Sequence, residues 1–141
     1  MSAKTLAAPR NLPMTICQGE SGSVIRSSIV RPLYSAEKIE RPLLIGQGAN
    51  DPRVNIAESD QIVDAMKARN IPVTYVVFPD EGHGFARPAN NIAFNAVTEN
   101  FLARCLGGRA EPIGGTVKAS SAQVRHGAEF APGLKEALGA P

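Results

Sequence analysis

Apolar residues gather in a few short stretches of the chain, and their spacing changes character from one stretch to the next. Leu43, Leu44 and Ile45 form an unbroken run after Pro42, halted by Gly46 and Gly48, which predicts a short buried strand. The polar, turn-forming stretch 49–55 follows, centred on Asp51 and Pro52. Ile56, Ile62, Val63 and Met66 then recur near one face of a helix that should end near Asn70, before Pro72. Val73 to Phe78 is a β-branched and aromatic run bounded by prolines, the clearest strand signal in the chain. A tight loop, PDEGHGF, leads to a last long pattern from about Ala89 to Leu106. There Ile92, Val97, Phe101 and Cys105 mark an amphipathic helix stopped by Gly107 and Gly108. Strand, helix, strand, helix is the order of a parallel α/β unit, and it occupies residues 31–108.

The flanks are different. Residues 1–30 lack a period and carry Gly19, Ser21, Gly22, Ser23, Ser27 and Ser28, the composition of an irregular segment. Residues 109–141 hold three prolines, five glycines and a weak helical patch at Leu134 to Leu138. A loosely packed or disordered tail is the simplest expectation there. No internal repeat is visible.

Charge and composition narrow the function classes. Fifteen Lys and Arg against 13 Asp and Glu leave a net charge of +2 with no basic run, which argues against nucleic acid as a partner. Cys17 and Cys105 match no C-x-x-C or zinc-ligand spacing, so neither a disulfide framework nor a metal site is expected. No apolar run reaches signal-peptide or bilayer-spanning length, and the expected location is cytoplasmic, with no membrane partner.

Two loops carry the chemistry. Each follows a predicted strand and each presents one titratable side chain among turn-forming neighbours: Asp51 in GQGANDPRV and His83 in PDEGHGF. In parallel α/β sheets the carboxyl ends of the strands converge on one crevice. The two residues are 32 positions apart, with one helix and one strand between them, which fits the last two members of the chain order Ser, Asp, His. A serine hydroxyl needs an imidazole to take its proton, and the imidazole works best when a carboxylate fixes its tautomer. Gly82 and Gly84 would let the histidine loop bend sharply. Read blandly, Asp51 before Pro52 is an ordinary Asx turn and His83 an exposed loop histidine.

RPLLIGQGANDPRV, a helix, then VTYVVFPDEGHGF resembles the C-terminal catalytic domain of prolyl oligopeptidase-family serine peptidases, on the acylaminoacyl peptidase and dipeptidyl aminopeptidase branch. The resemblance runs roughly from Ser28 to Gly108. It implies part of an α/β-hydrolase fold, Asp51 as the triad aspartate, His83 as the triad histidine, a peptide or acyl substrate, and no cofactor.

The family's nucleophile turn, G-x-S-x-G-G, has no full match. The nearest string, Gly19 to Ser23, puts serine where the second glycine belongs, and only 30 positions separate Ser21 from Asp51. One βαβ crossover alone takes roughly 30 residues, so a Gly-Ser loop is the preferred reading of Ser21. The chain is therefore expected to be a fragment holding about two or three strands of the sheet. An exposed sheet edge would give it a route to self-association. The alternatives are an esterase or lactone hydrolase of the same superfamily, and a non-catalytic interaction remnant. Arg53 and Glu81 read as solvated surface charge, the adjacent carboxylates Asp80 and Glu81 are expected to point different ways and make no general acid–base couple, His126 carries no role, and Phe78, Phe94 and Phe101 read as core.

Overall fold

The computed structural model describes residue 36 and residues 38–139. Segment 1–30, expected to be irregular, with Ser21 and Cys17, lies outside these. Strand β1 (Leu43–Gly48), helix α1 (Ile56–Ala68), strand β2 (Val73–Phe78) and helix α2 (Pro88–Leu106) follow one another as the hydrophobic pattern predicts. A third strand, β3 (Gln123–His126), a 3-10 turn at Ala128–Phe130 and a short helix, α3 (Leu134–Ala137), complete the order.

β1 and β2 run parallel, from Leu43 opposite Val73 to Gly48 opposite Phe78. β3 pairs antiparallel with the other edge of β2, so β2 is the middle strand. All six of its residues are buried, as a strand covered on both faces requires. Because side chains alternate along a strand, β2 serves two cores. Val73, Tyr75 and Val77 pack with Val63 and Met66 of α1 on one face. Val76 and Phe78 pack with Ala93, Val97 and Phe101 of α2 on the other. Each Val, Met or Phe side chain among these contributes about 1.5–3 kcal/mol when fully buried.

Three expectations change. β1 does not stop at Ile45 but continues through both glycines. A Cβ on Gly48 would lie 2.1 Å from the carbonyl oxygen of Gly82, so this glycine, the last residue of β1, serves the close approach of the histidine loop. Ile92 is exposed, because α2 turns Asn90, Ala93, Val97, Asn100 and Phe101 inward instead. Two asparagines on that inner face hid the true stripe from a pattern built on apolar residues alone.

The third change concerns the segment after Gly108, which is packed and not loose. Ile113, Val117, Ala131, Leu134 and Ala137 are all buried in the same core as α2. Buried Thr74 donates its hydroxyl to the Gly127 carbonyl at 2.9 Å, and Asn100 donates to the Glu111 carbonyl at 2.8 Å. Its apolar residues are spread singly among Gly, Pro and Ser, so no local period announced them; only the pre-formed β2 edge and α2 face give them a place to be buried.

Candidate active site

Both loops leave the carboxyl ends of parallel neighbours, which places their side chains over the same end of the sheet. The loops are also bonded to each other. Ala49 N–H donates to the Phe78 carbonyl at 2.9 Å, Asn50 N–H to the Glu81 carbonyl at 2.9 Å, and the Asn50 side chain to the Pro79 carbonyl at 2.8 Å.

Asp51 is shaped by its own neighbours. Its Oδ1 accepts from the N–H of Arg53 at 2.8 Å and of Val54 at 3.0 Å, an Asx turn that leaves Oδ2 free to point elsewhere. Oδ2 faces His83 Nδ1 at 3.0 Å. An ionised carboxylate only accepts, so Nδ1 carries a proton in this pair, and in the neutral imidazole that tautomer leaves the lone pair on Nε2. The Asp51 side chain is only 8% exposed, while that of His83 is 50% exposed. Nε2 has no hydrogen-bond partner among the described residues. Burial pushes the Asp51 carboxyl up, but the Arg53 N–H, the His83 imidazole and the Val54 N–H outweigh it and hold the group below its ordinary value. The carboxylate is thus charged where it meets the imidazole. One oxygen of Asp51 makes the turn and the other meets the imidazole.

The histidine loop is fixed differently. Gly84 takes a φ of 98°, a conformation that favours glycine, and lets the chain turn back directly after His83. Phe85 then drops into the core beside Phe78, ring centroids 4.4 Å apart, and Phe94, 5.0 Å apart. Glu81, expected as a surface charge, is 3% exposed. Its carboxylate accepts from the N–H groups of Ala86 at 3.0 Å and Arg87 at 2.9 Å and from the Asn90 amide at 2.8 Å. Arg87 is the N-cap residue of α2 and makes no side-chain cap bond; the Glu81 carboxylate instead accepts from the two N–H groups that lead into the helix, at the end that favours negative charge. Burial pushes the Glu81 carboxyl up, yet the Asn90 amide and the two N–H groups hold it below its ordinary value. Asp80 also meets the Asn90 amide, at 3.0 Å, and pairs with Arg87 at 3.0 Å. The adjacent carboxylates, which sequence reasoning set apart, converge on one asparagine. A glutamate seven residues before the start of a helix whose N-cap side chain makes no cap bond was the available signal.

Arg53 is exposed, and His126 lies in β3 opposite Tyr75, away from the pair. Among the described residues no serine or cysteine hydrogen-bonds to His83: Ser59 donates to Gln47 at 2.7 Å, and Ser120 and Ser121 bond elsewhere. Nor is any group of three or more His, Cys, Asp or Glu side chains among them placed to hold a metal ion. An Asp-oriented imidazole with one open nitrogen can take a proton from a hydroxyl and return it to a leaving group.

Residues 25–109 match the prolyl oligopeptidase family. The chain is 73% identical over 107 residues to dipeptidyl aminopeptidase BIII of Pseudoxanthomonas mexicana, an alignment covering 76% of this chain and 16% of that protein. It is 50% identical over 82 residues to dipeptidyl peptidase family member 6 of Caenorhabditis elegans, covering 58% of this chain and 11% of the relative. It is 35% identical over 57 residues to the acylamino-acid-releasing enzyme of Arabidopsis thaliana, 40% of this chain and 8% of the relative. The chain therefore spans less than a fifth of the curated relatives it matches. No solved structure gives a significant match. With more than half of its length matched, and with strands, loops and helices in the order the sequence resemblance implied, this chain belongs to the prolyl oligopeptidase family and forms part of an α/β-hydrolase fold.

Proposed function

We propose that this chain supplies the acid–base half of a serine peptidase active site of the dipeptidyl peptidase kind. His83 is the general base that activates a serine and then the general acid that protonates the leaving amine, and Asp51 orients it and stabilises the imidazolium. The 3.0 Å contact of His83 Nδ1 with a mostly buried, charged Asp51 carboxylate, with Nε2 left open, carries this reading. The names of the two most similar relatives described above favour release of dipeptides over ester or lactone hydrolysis. The serine and its oxyanion donors belong to sequence other than the described residues, and the chain alone is proposed to be inactive.

The test is a chimera in which this chain replaces the matching segment of the 73%-identical relative. Hydrolysis of a dipeptidyl p-nitroanilide and labelling by a fluorophosphonate probe are expected to persist, and His83→Ala is expected to lower kcat by about 10⁶-fold. A folded chimera whose His83→Ala form still turns over would end the assignment. Preference for p-nitrophenyl esters over the anilide would move it to the esterase reading.

A further inference from the structure

Residues 110–141 lie beyond the stretch that matches the family, yet they touch the histidine loop. The contact is made by Ser121, just before β3. Its N–H donates to Asn90 Oδ1 at 2.9 Å, and its hydroxyl bonds both Asn90 Oδ1 at 3.1 Å and Asp80 Oδ1. Asn90 is 1% exposed, and its amide faces Asp80 and Glu81 at once. A buried amide gripped on its oxygen from one side and on its nitrogen from the other has one orientation, since flipping it would turn its oxygen toward two carboxylates and its NH2 toward the Ser121 N–H. That orientation presents the N–H to Glu81, and Glu81 holds the N–H groups of Ala86 and Arg87.

We propose that the segment after the family-matched region positions the triad histidine through Ser121, which fixes Asn90 and Asp80 so that Glu81 sets the turn carrying His83. The proposal rests on the reading of His83 as the base. Ser121 is a positioning residue, since it touches neither partner of the Asp51–His83 pair. The rest of the segment gives it leverage: Ile113 and Val117 before it and Leu134 after it are buried against the core, so Ser121 is held from both sides in sequence. The Ser121 hydroxyl is also the largest influence holding the Asp80 carboxyl below its ordinary value, which keeps a charge beside Arg87 at the mouth of the same loop.

A serine that only pins the segment to the domain would behave otherwise, and the two cases separate by amide hydrogen exchange followed by NMR on the intact chain. Ser121→Ala is expected to speed exchange at Ala86 and Arg87 by about tenfold, as loss of the hydroxyl's bonds to a charged and a neutral acceptor implies. The low-field Nδ1–H resonance of His83 should broaden along with it, and Ser121→Thr, which keeps the hydroxyl, should restore both. Faster exchange at Gln123 and Val124 with Ala86, Arg87 and the His83 resonance unmoved would overturn the proposal. Should Ser121→Ala fail to fold, the unsubstituted chain still decides. In low urea, the amides of Ser121, Ala86 and Arg87 are expected to open together with one urea dependence, and an independent, easier opening of Ala86 and Arg87 would sink the coupling. A chimera inactive toward the anilide while these exchange results hold would remove His83's role as base and leave the Ser121 linkage standing.

Discussion

The two loops that carry Asp51 and His83 end parallel neighbouring strands and meet at 3.0 Å, but they are built on opposite principles. The Asp51 loop is held from within: one carboxylate oxygen accepts two N–H groups no more than three residues ahead, and Asn55 caps the helix that follows through Ala57 N–H at 3.0 Å. The His83 loop is held from without: its own Glu81 and Phe85 are gripped by an asparagine on α2, which a serine 38 positions beyond His83 fixes in turn, and by the rings of Phe78 and Phe94. A carboxylate that must stay charged and oriented is well served by a short local turn. The half-exposed imidazole has its rigid support placed behind it.

The sharpest way to probe this contrast is a substitution that separates the Asp51 turn from its chemistry. Asn in place of Asp51 keeps an oxygen able to accept from Arg53 and Val54, so the loop should retain its shape. It loses the charge and favours the wrong histidine tautomer, and in the chimera kcat is expected to fall by about 10⁴-fold with little change in melting temperature. A chimera that keeps near-normal turnover would show that the carboxylate does not orient the base. A large loss of stability would show that the loop is not self-supporting.

The second effect concerns anchoring. Phe85 packs between Phe78 and Phe94 directly beneath the turn of the histidine loop, and Phe85→Ala is expected to cost about 3 kcal/mol, the low end for a phenylalanine because the residue is only partly buried. The nearest apolar residue of the other loop, Val54, is 36% exposed, and Val54→Ala should cost less than about 0.5 kcal/mol. Urea unfolding of the two variants gives the comparison directly. Similar costs would mean that both loops lean on the core and that the distinction drawn between them is false.

This difference also governs what could be read from the residues alone. The Asp51 loop was legible because its determinants sit side by side in GQGANDPRV, and the β2 strand because burial on both faces demands an unbroken apolar run. His83 was legible as a residue in a glycine-flanked turn after that strand. Its support was not: Glu81 looks like any charged loop residue until α2 is seen to begin seven residues later without a side-chain cap. Asn90 and Asn100 break an apolar stripe that nevertheless faces inward. Ser121 lies in a stretch whose Gly, Pro and Ser content suggested looseness, and whose order comes entirely from surfaces made earlier in the chain. Ionic and amide networks of this kind are set by three-dimensional encounter, and no period in the sequence encodes them.

The smallest effect is the response to acid, and it tests whether the outer support of the His83 loop is electrostatic. Three carboxylates near the pair have folded values below their ordinary ones. Asp51 and Glu81 are pushed up by burial, but the donors around them outweigh it: for Asp51 the Arg53 N–H, the imidazole and the Val54 N–H, for Glu81 the Asn90 amide and the N–H groups of Arg87 and Ala86. Asp80 is lowered first by the Ser121 hydroxyl, against an opposing contribution from burial. A depressed folded value means that the unfolded chain takes up protons first as pH falls. The stability these groups add is therefore complete above the unfolded carboxylate range, about pH 4, and is lost as pH drops through the folded values. The urea midpoint should hold steady from neutral pH to about 5 and decline below that. Two of the three groups sit in the His83 loop, so Glu81→Gln should flatten the decline, and amides Ala86 and Arg87 should lose protection in acid before Arg53 and Val54 do. If the Asp51 turn opened first, or the Glu81→Gln chain kept the full slope, the buried glutamate would be holding the loop by shape and not by charge.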